Sequence, residues 1–101
     1  MTRIVRFSRQ GGRDLNSVRA WFTQPGAGPR AQRRLAHIER SILELANHPC
    51  RHPREPHGWR EFTIEEHRVR YRVSRDTGRD TTAGNVLVLR IFGPGQDRSR
   101  T

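Results

Sequence analysis

Arginines alternate with apolar residues along the segment His67–Val73. In a β-strand, this alternation puts three apolar side chains on the face of a core and three arginines, Arg68, Arg70 and Arg72, on the opposite face. Neighbouring guanidinium groups repel each other unless an anion lies across them, because each keeps its charge at any accessible pH. The pattern therefore indicates a surface for phosphates or for an acidic protein, unless the arginines simply extend into water.

Arginines next to titratable rings could also cleave RNA without a metal ion. In that reaction the 2′-hydroxyl attacks the adjacent phosphate, which requires a base, an acid and cations that stabilise the charged intermediate. Arginines can supply the cations, and Tyr71, His57 or His67 could move the protons. A histidine titrates near neutral pH and suits proton transfer better, whereas the alternation of Tyr71 with valines favours a core position.

The charge of the whole chain favours a polyanionic partner. The 101 residues include 20 basic and 10 acidic side chains, a formal net charge of +10, and none of the basic residues is a lysine. Arginine binds phosphate and carboxylate groups at two points, where lysine would offer a single charge. We therefore expect a nucleic acid or an acidic polypeptide as the partner rather than a neutral metabolite.

Length and cysteine content limit the class of protein. A chain of this length forms a single domain, residues 1–101, with one modest core. Cys50 is the only cysteine, which excludes an intramolecular disulfide and fits a reducing compartment. The amino terminus lacks the apolar run of a signal peptide, and no stretch approaches membrane-spanning length. We expect a cytoplasmic protein without a membrane partner.

The first half of the chain predicts one strand and a helical hairpin. Residues 3–7 form a short strand that ends at Gly11 and Gly12, and a first helix begins at about Asp14, which acts as its cap. A second helix covers about residues 30–46, where apolar side chains recur at helical spacing.

The second half predicts three antiparallel strands. They cover residues 59–64, 67–73 and 86–92. A Glu65-Glu66 turn joins the first two, and a polar turn precedes the last, whose apolar run suits a central strand covered on both faces. The elements together predict an α+β domain of two layers, in which the hairpin packs on one sheet face and leaves the other face for function.

One loop contains side chains that zinc accepts as ligands. They are His48, Cys50, His52 and His57. Three prolines restrict this loop, and a spacing of two residues is unlike the usual paired ligands of zinc sites. We therefore interpret the segment as an ordinary basic loop, and we predict no metal and no cofactor.

The order of elements, together with three segments, resembles the RelE/ParE superfamily of bacterial toxins. The segments are residues 59–62 (WREF), 67–73 (HRVRYRV) and 88–93 (VLRIFG), followed by Asp97. The resemblance covers nearly the whole chain. It implies the toxin of a type II toxin–antitoxin system, held inactive by an adjacently encoded antitoxin that wraps it with an extended, acidic segment.

The two branches of the superfamily imply different targets. RelE-like members enter the ribosomal A site and cut mRNA, whereas ParE-like members inhibit DNA gyrase without a known nuclease step. Arg68 falls where RelE-like nucleases place an arginine that stabilises the phosphate, and Arg60 falls near a basic position of the preceding strand. RelE-like members also have a tyrosine or histidine near the carboxyl terminus, and residues 93–101 contain neither.

From the residues and the resemblance we expect growth arrest, with a slight preference for ribosome-dependent mRNA cleavage by a metal-independent endoribonuclease. In this interpretation the phosphate is held by Arg60, Arg68 and Arg90, and His67 or His57 moves the proton. The residues expected to bind nucleic acid or the antitoxin are Arg68, Arg70, Arg72 and Arg98. The first alternative is a ParE-like gyrase inhibitor without nuclease activity, and the second is a non-catalytic nucleic-acid-binding module.

Overall fold

Four strands form one sheet, and two helices lie on one of its faces. The structure is a computed structural model and describes residues 3–94. The elements in chain order are β1 (Val5–Phe7), α1 (Arg9–Thr23), α2 (Gly28–Leu43), a 3₁₀ turn (Glu44–Ala46), β2 (Arg60–Ile64), β3 (His67–Val73) and β4 (Val86–Phe92). The predicted α+β class with its helical hairpin and three antiparallel strands is confirmed. Neither helix of the described part has the length and apolarity that crossing a membrane requires.

The sheet has the strand order β1-β4-β3-β2. The last strand therefore lies inside the sheet, antiparallel to β3 on one side and parallel to β1 on the other, where Val5 is opposite Val86. A register shift in the β3–β4 pair places Arg70 opposite Arg90 and Tyr71 opposite Val88. The predicted central position of β4 is confirmed.

The core lies between the helices and the inner face of the sheet. Its members alternate along β3, at Val69, Tyr71 and Val73. On β4 they are Val86, Val88 and Ile91, where the register shift adds one residue between the last two. On β4, the intervening Leu87 and Leu89 are half-buried on the other face, which carries no helix. Among residues 3–94, helices cover only the inner face of β4, because both pack on the same side, while Phe92 is buried on the other face.

The first helix begins earlier than the sequence predicts. Ser8 caps α1, since its Oγ accepts a hydrogen bond of 3.0 Å from the backbone N–H of Gly11. Gly11 and Gly12 are therefore helical residues and do not end β1. Gly11 is required for close packing, because a Cβ at this position would lie 2.4 Å from the carbonyl oxygen of Val88 on β4. Asp14 lies inside the helix and is not its cap.

Two glutamates form the turn between β2 and β3, as predicted. Glu65 and Glu66 have φ angles of +49° and +65°, the left-handed values that a two-residue hairpin turn of this hand requires at both positions. Arg34 and His37 of α2 hold Glu65, with Nε–Oε1 and Nδ1–Oε2 distances of 3.0 and 2.7 Å. Glutamate is strained at such φ values, so the contacts from α2 offset a local cost.

Replacing Glu66 by glycine is expected to stabilise the protein by up to about 1 kcal/mol, because glycine adopts positive φ without strain. Glu66 is mostly exposed, and its contact with Arg34 is long at 3.3 Å, so little is lost. Chemical denaturation followed by circular dichroism measures the change. In Glu65→Gly the same relief is offset by the lost contacts to Arg34 and His37. A larger gain in Glu65→Gly than in Glu66→Gly would contradict this account.

Candidate functional site

The sheet face without helices, here called the open face, carries the predicted row of arginines. Arg68, Arg70 and Arg72 project from β3 to this side, opposite the buried Val69 and Tyr71. The three arginines differ in exposure: Arg70 is buried, Arg68 is half-buried and Arg72 is exposed. The row is therefore not a uniform exposed surface, and each guanidinium has its own environment.

A carboxylate of the neighbouring strand balances two of these charges. Glu61 on β2 is opposite Arg70 in the sheet register, and its carboxylate accepts hydrogen bonds from Arg70 Nε at 2.6 Å and from Arg68 Nη1 at 3.0 Å. One anion thus lies between two cations. The repulsion inferred from the arginine row is therefore relieved, at least for Arg68 and Arg70, within the protein itself.

Aromatic rings enclose Arg70 from both sides. Its guanidinium carbon lies 4.2 Å from the centre of the Trp59 ring and 5.1 Å from that of Phe92. The stack continues at each end, where His57 packs on Trp59 at 4.8 Å and the guanidinium of Arg90 lies 4.7 Å from Phe92. These alternating cation and ring contacts fix Arg70 in the sheet, since each contributes roughly 0.5–2 kcal/mol.

Arg68 keeps an unused donor. Its Nε is buried and has no hydrogen-bond partner within residues 3–94. A buried donor without a partner costs about 1–3 kcal/mol. Among residues 3–94 it is the one buried side-chain polar atom without a partner, and an outside acceptor could reach it only if neighbouring side chains moved.

Arg60 lies on the opposite face of the sheet from Arg68. It pairs with Tyr71 in the register, so its side chain points to the inner face, where it is buried. Its Nε and Nη2 donate to the two carboxylate oxygens of Asp76 at 2.9 and 2.8 Å, and Nη1 donates to the backbone oxygens of Cys50 and His52. This guanidinium joins the 48–57 loop to the β3–β4 connection.

The two candidate histidines also lie apart. His67 is buried on the inner face beside Phe22 of α1, with Nδ1 2.8 Å from the backbone oxygen of Glu65. His57 is exposed and stacks on Trp59 at the other end of β2. Tyr71 is fully buried and donates to the Pro49 carbonyl at 2.8 Å, and burial raises the pKa of its hydroxyl. The predicted core position of Tyr71 is confirmed.

Arg90 extends from β4 to the first helix. Its Nε donates at 2.8 Å to Asp14 of α1, and the same carboxylate oxygen accepts the backbone N–H of Ile91 at 2.8 Å. Asp14 thereby satisfies two donors at the end of β4. Arg90 shares the open face with Arg70, but neither Arg60 nor His67 is brought to this side of the sheet.

The titratable side chains of the predicted basic loop, residues 48–57, contact different parts of the protein. Cys50 Sγ lies 3.7 Å from a carboxylate oxygen of Asp76, and His52 stacks on Phe62. Burial raises the pKa of the Cys50 thiol and lowers that of His52. Within residues 3–94, no cluster of three or more metal-ligating side chains occurs. Arg98, a predicted binding residue, lies outside the described residues.

Comparison with known proteins assigns the family. The family model for the ParE toxin of the type II toxin–antitoxin system parDE matches residues 5–97. The chain belongs to the ParE toxin family. A solved structure of the chromosomal ParDE toxin–antitoxin system from P. aeruginosa is similar, with a TM-score of 0.65 and 17% sequence identity over 92% of this chain and 97% of that one. No curated protein matches the chain.

Membership in the ParE family confirms the resemblance drawn from the three sequence segments. The family consists of toxins of type II toxin–antitoxin systems, so a cognate antitoxin is the expected partner. At 17% identity, the likeness to the ParDE structure is one of fold, and it covers nearly the full length of both chains. The family assignment names the toxin–antitoxin system and no target of the toxin.

Sequence reasoning missed the acidic residues that hold the ParE toxin's arginines. Glu61 follows Arg60 directly, and the alternation of Arg60 and Phe62 inward puts Glu61 on the open face, so the strand pattern contained this signal. Asp76 and Asp14 gave no such signal, because their partners lie 16 and 76 residues away in the chain. Such contacts depend on the tertiary fold.

Proposed function

We propose that this ParE-family toxin inhibits DNA gyrase by binding it, without cutting RNA, and that an acidic antitoxin neutralises it by covering the open face. This order of targets is the reverse of the slight preference expected from the sequence. The proposal rests on the distribution of charged and titratable side chains over the two faces of the sheet, and on the membership of the ParE family.

The observation that carries the proposal is the separation of the groups that RNA cleavage would need. If Arg68 bound the phosphate of an RNA, Arg60 and His67 would lie on the opposite face of the sheet. Both are buried there, and both are engaged in hydrogen bonds. A proton-transfer group must lie within hydrogen-bond reach of the reacting atoms. Of the two candidate histidines, only His57 is exposed to solvent, and its ring packs on Trp59.

The open face has features that suit a protein partner. Its partly exposed apolar residues are Leu87 and Leu89 of β4, and Leu87 pairs with the exposed Arg72 of β3. Protein interfaces combine apolar contacts with aromatic residues and arginines that pair with carboxylates. The positive charge of the chain favours an acidic segment as the antitoxin's contact.

A supercoiling assay tests the target. Purified toxin with purified gyrase and relaxed plasmid is expected to block supercoiling, and the variant Arg72→Glu is expected to need at least tenfold more toxin, because a carboxylate replaces an exposed cation of the open face. Arg79→Glu makes the same change in charge at an exposed position of the β3–β4 connection. It is expected to inhibit as the parent does.

Primer extension on a translated mRNA, in a reconstituted system without gyrase, tests the other target. No new 5′ ends are expected with the parent toxin. New ribosome-dependent ends that disappear in Arg68→Ala would overturn the proposal and assign a RelE-like nuclease. Expression without growth arrest, with salt-sensitive binding to nucleic acid, would instead support the non-catalytic binding module.

A further inference from the structure

The second helix carries arginines on the side that faces solvent. Arg30, Arg33 and Arg40 are all exposed, and their spacing of three and seven residues puts them on one side of α2, opposite the buried Ile38 and Ile42. We call these three arginines the α2 ridge. At 1.5 Å per residue the ridge is about 15 Å long. It lies in the helical layer, away from the open face of the sheet.

The α2 ridge keeps its full positive charge. Within residues 3–94, its three guanidiniums make no hydrogen bond or ion pair. Of the nearby carboxylates, Glu39 binds Arg19 of α1, and Arg34 and His37 hold the two glutamates of the β2–β3 turn, which line one pocket together with Arg30 and Arg33. Glu44, four residues after Arg40, accepts a hydrogen bond from Asn47. Within residues 3–94, none of the three ridge guanidiniums forms an ion pair, so each can still take a further anion.

The surroundings of the ridge distinguish a phosphate backbone from a protein partner. A stable protein interface buries an apolar centre, but the exposed residues between Arg30 and Arg40 are polar or small, Gln32 and Ala36 among them. The one large exposed apolar side chain of α2, Leu43, lies beyond its last arginine. Contacts to phosphates need no apolar centre, because their free energy comes from counterion release.

We propose that the α2 ridge binds the phosphate backbone of duplex DNA without regard to sequence. Phosphates follow each other every ≈ 3.4 Å of axis along one DNA strand, so a ridge of this length spans roughly four of them, enough for each guanidinium to bind one. The inference goes beyond the proposed function: the open face binds protein, and α2 contacts DNA. It does not require gyrase to be the target, because DNA alone suffices to test it.

The test compares two variants of equal net charge. Fluorescence anisotropy measures binding of the full chain to a labelled 20-base-pair duplex between about 50 and 200 mM salt. The ridge variant is Arg30→Gln/Arg33→Gln/Arg40→Gln. The control variant is Arg51→Gln/Arg54→Gln/Arg79→Gln, which removes three exposed arginines outside α2. Circular dichroism and thermal melting check that both remain folded, as expected for exposed positions.

The ridge variant is expected to lose about 2–3 units of the slope of log Kobs against log salt, since each phosphate contact contributes about 0.9. The control variant should keep the parent slope. Equal losses in both variants would mean that only net charge matters, and no loss in the ridge variant would place the contact elsewhere. If a labelled decaglutamate peptide depends on the ridge and the duplex does not, the partner is an acidic polypeptide, and the proposal is wrong.

Discussion

Replacing Gly11 by alanine is expected to lower the free energy of unfolding by about 3 kcal/mol or more. The added Cβ would lie 2.4 Å from the carbonyl oxygen of Val88 and 3.1 Å from its carbon, both backbone atoms of the central strand. Backbone atoms of a packed sheet cannot rotate away as a flexible side chain can, so α1 must move from the sheet and core contacts are lost. Urea unfolding followed by circular dichroism measures the loss.

The next residue provides a matched control for this prediction. Gly12 is also helical, but the nearest atom to a Cβ there is Phe7 Cβ at 4.0 Å, an ordinary contact. Gly12→Ala should therefore stabilise the protein by about 0.5–1 kcal/mol, because glycine is unfavourable inside a helix. The account of close packing would fail if the two alanine variants changed stability in the same direction and by similar amounts.

Asp76→Asn is expected to cost about 3–5 kcal/mol, because it leaves the buried guanidinium of Arg60 without its counter-charge. The two side chains are 6% and 8% exposed, and their ion pair is 2.8 Å long. A domain of this size has a total stability of about 5–15 kcal/mol, so the variant should lose a large share of it. The measurement is urea unfolding at pH 7.

Two further variants test whether the unpaired charge of Arg60 causes the loss of stability in Asp76→Asn. Asp80→Asn changes an aspartate of the same connection whose Oδ1 accepts the Cys50 N–H at 2.8 Å, and asparagine can keep that bond, so a cost of about 1 kcal/mol or less is expected. Arg60→Met/Asp76→Leu replaces the pair by apolar groups and should recover most of the stability lost in Asp76→Asn. A double variant no more stable than Asp76→Asn would contradict the role of unpaired charge.

Acid should weaken the Arg60–Asp76 contribution. Hydrogen bonds from Arg60 hold the pKa of the Asp76 carboxyl below its ordinary value of about 3.9 in an unfolded chain. The stabilisation is therefore complete above that unfolded value and is lost as pH falls through the lower folded one. The difference in stability between the parent and Asp76→Asn should be constant from pH 7 to about 5 and should shrink below about pH 4. A difference independent of pH down to 2 would contradict the assignment.

The sequence predicts β3 and β4 at their observed bounds because both carry strong periodic signals. β3 alternates strictly between arginine and apolar residues, and β4 is an apolar run between Asn85 and Gly93. The start of α1 was predicted wrongly at Asp14, because a glycine pair usually marks the end of an element. At Gly11 the missing side chain instead allows the helix to approach β4.

The carboxylates that pair with the arginines could not be predicted from the sequence as well as the strand bounds could. The register of β2 against β3 determines that Arg60 faces inward and Glu61 outward, and this register depends on the hairpin turn at Glu65 and Glu66. The pairing of β1 with β4 joins residues about 80 positions apart in the chain and has no local signal. Periodicity identifies elements and their faces, whereas the partners across faces follow from packing.

The place of β4 in the sheet has a consequence for how the toxin is made. β4 is the last strand within residues 3–94, yet it separates β1 from β3, and α1 packs on it. A growing chain therefore leaves α1 without its main contact with the sheet until β4 has been synthesised, whereas β2 and β3 can already pair and α2 can contact β2. Until Val86–Phe92 has been synthesised, β1 has no strand beside it, so the four-stranded sheet can form only after β4.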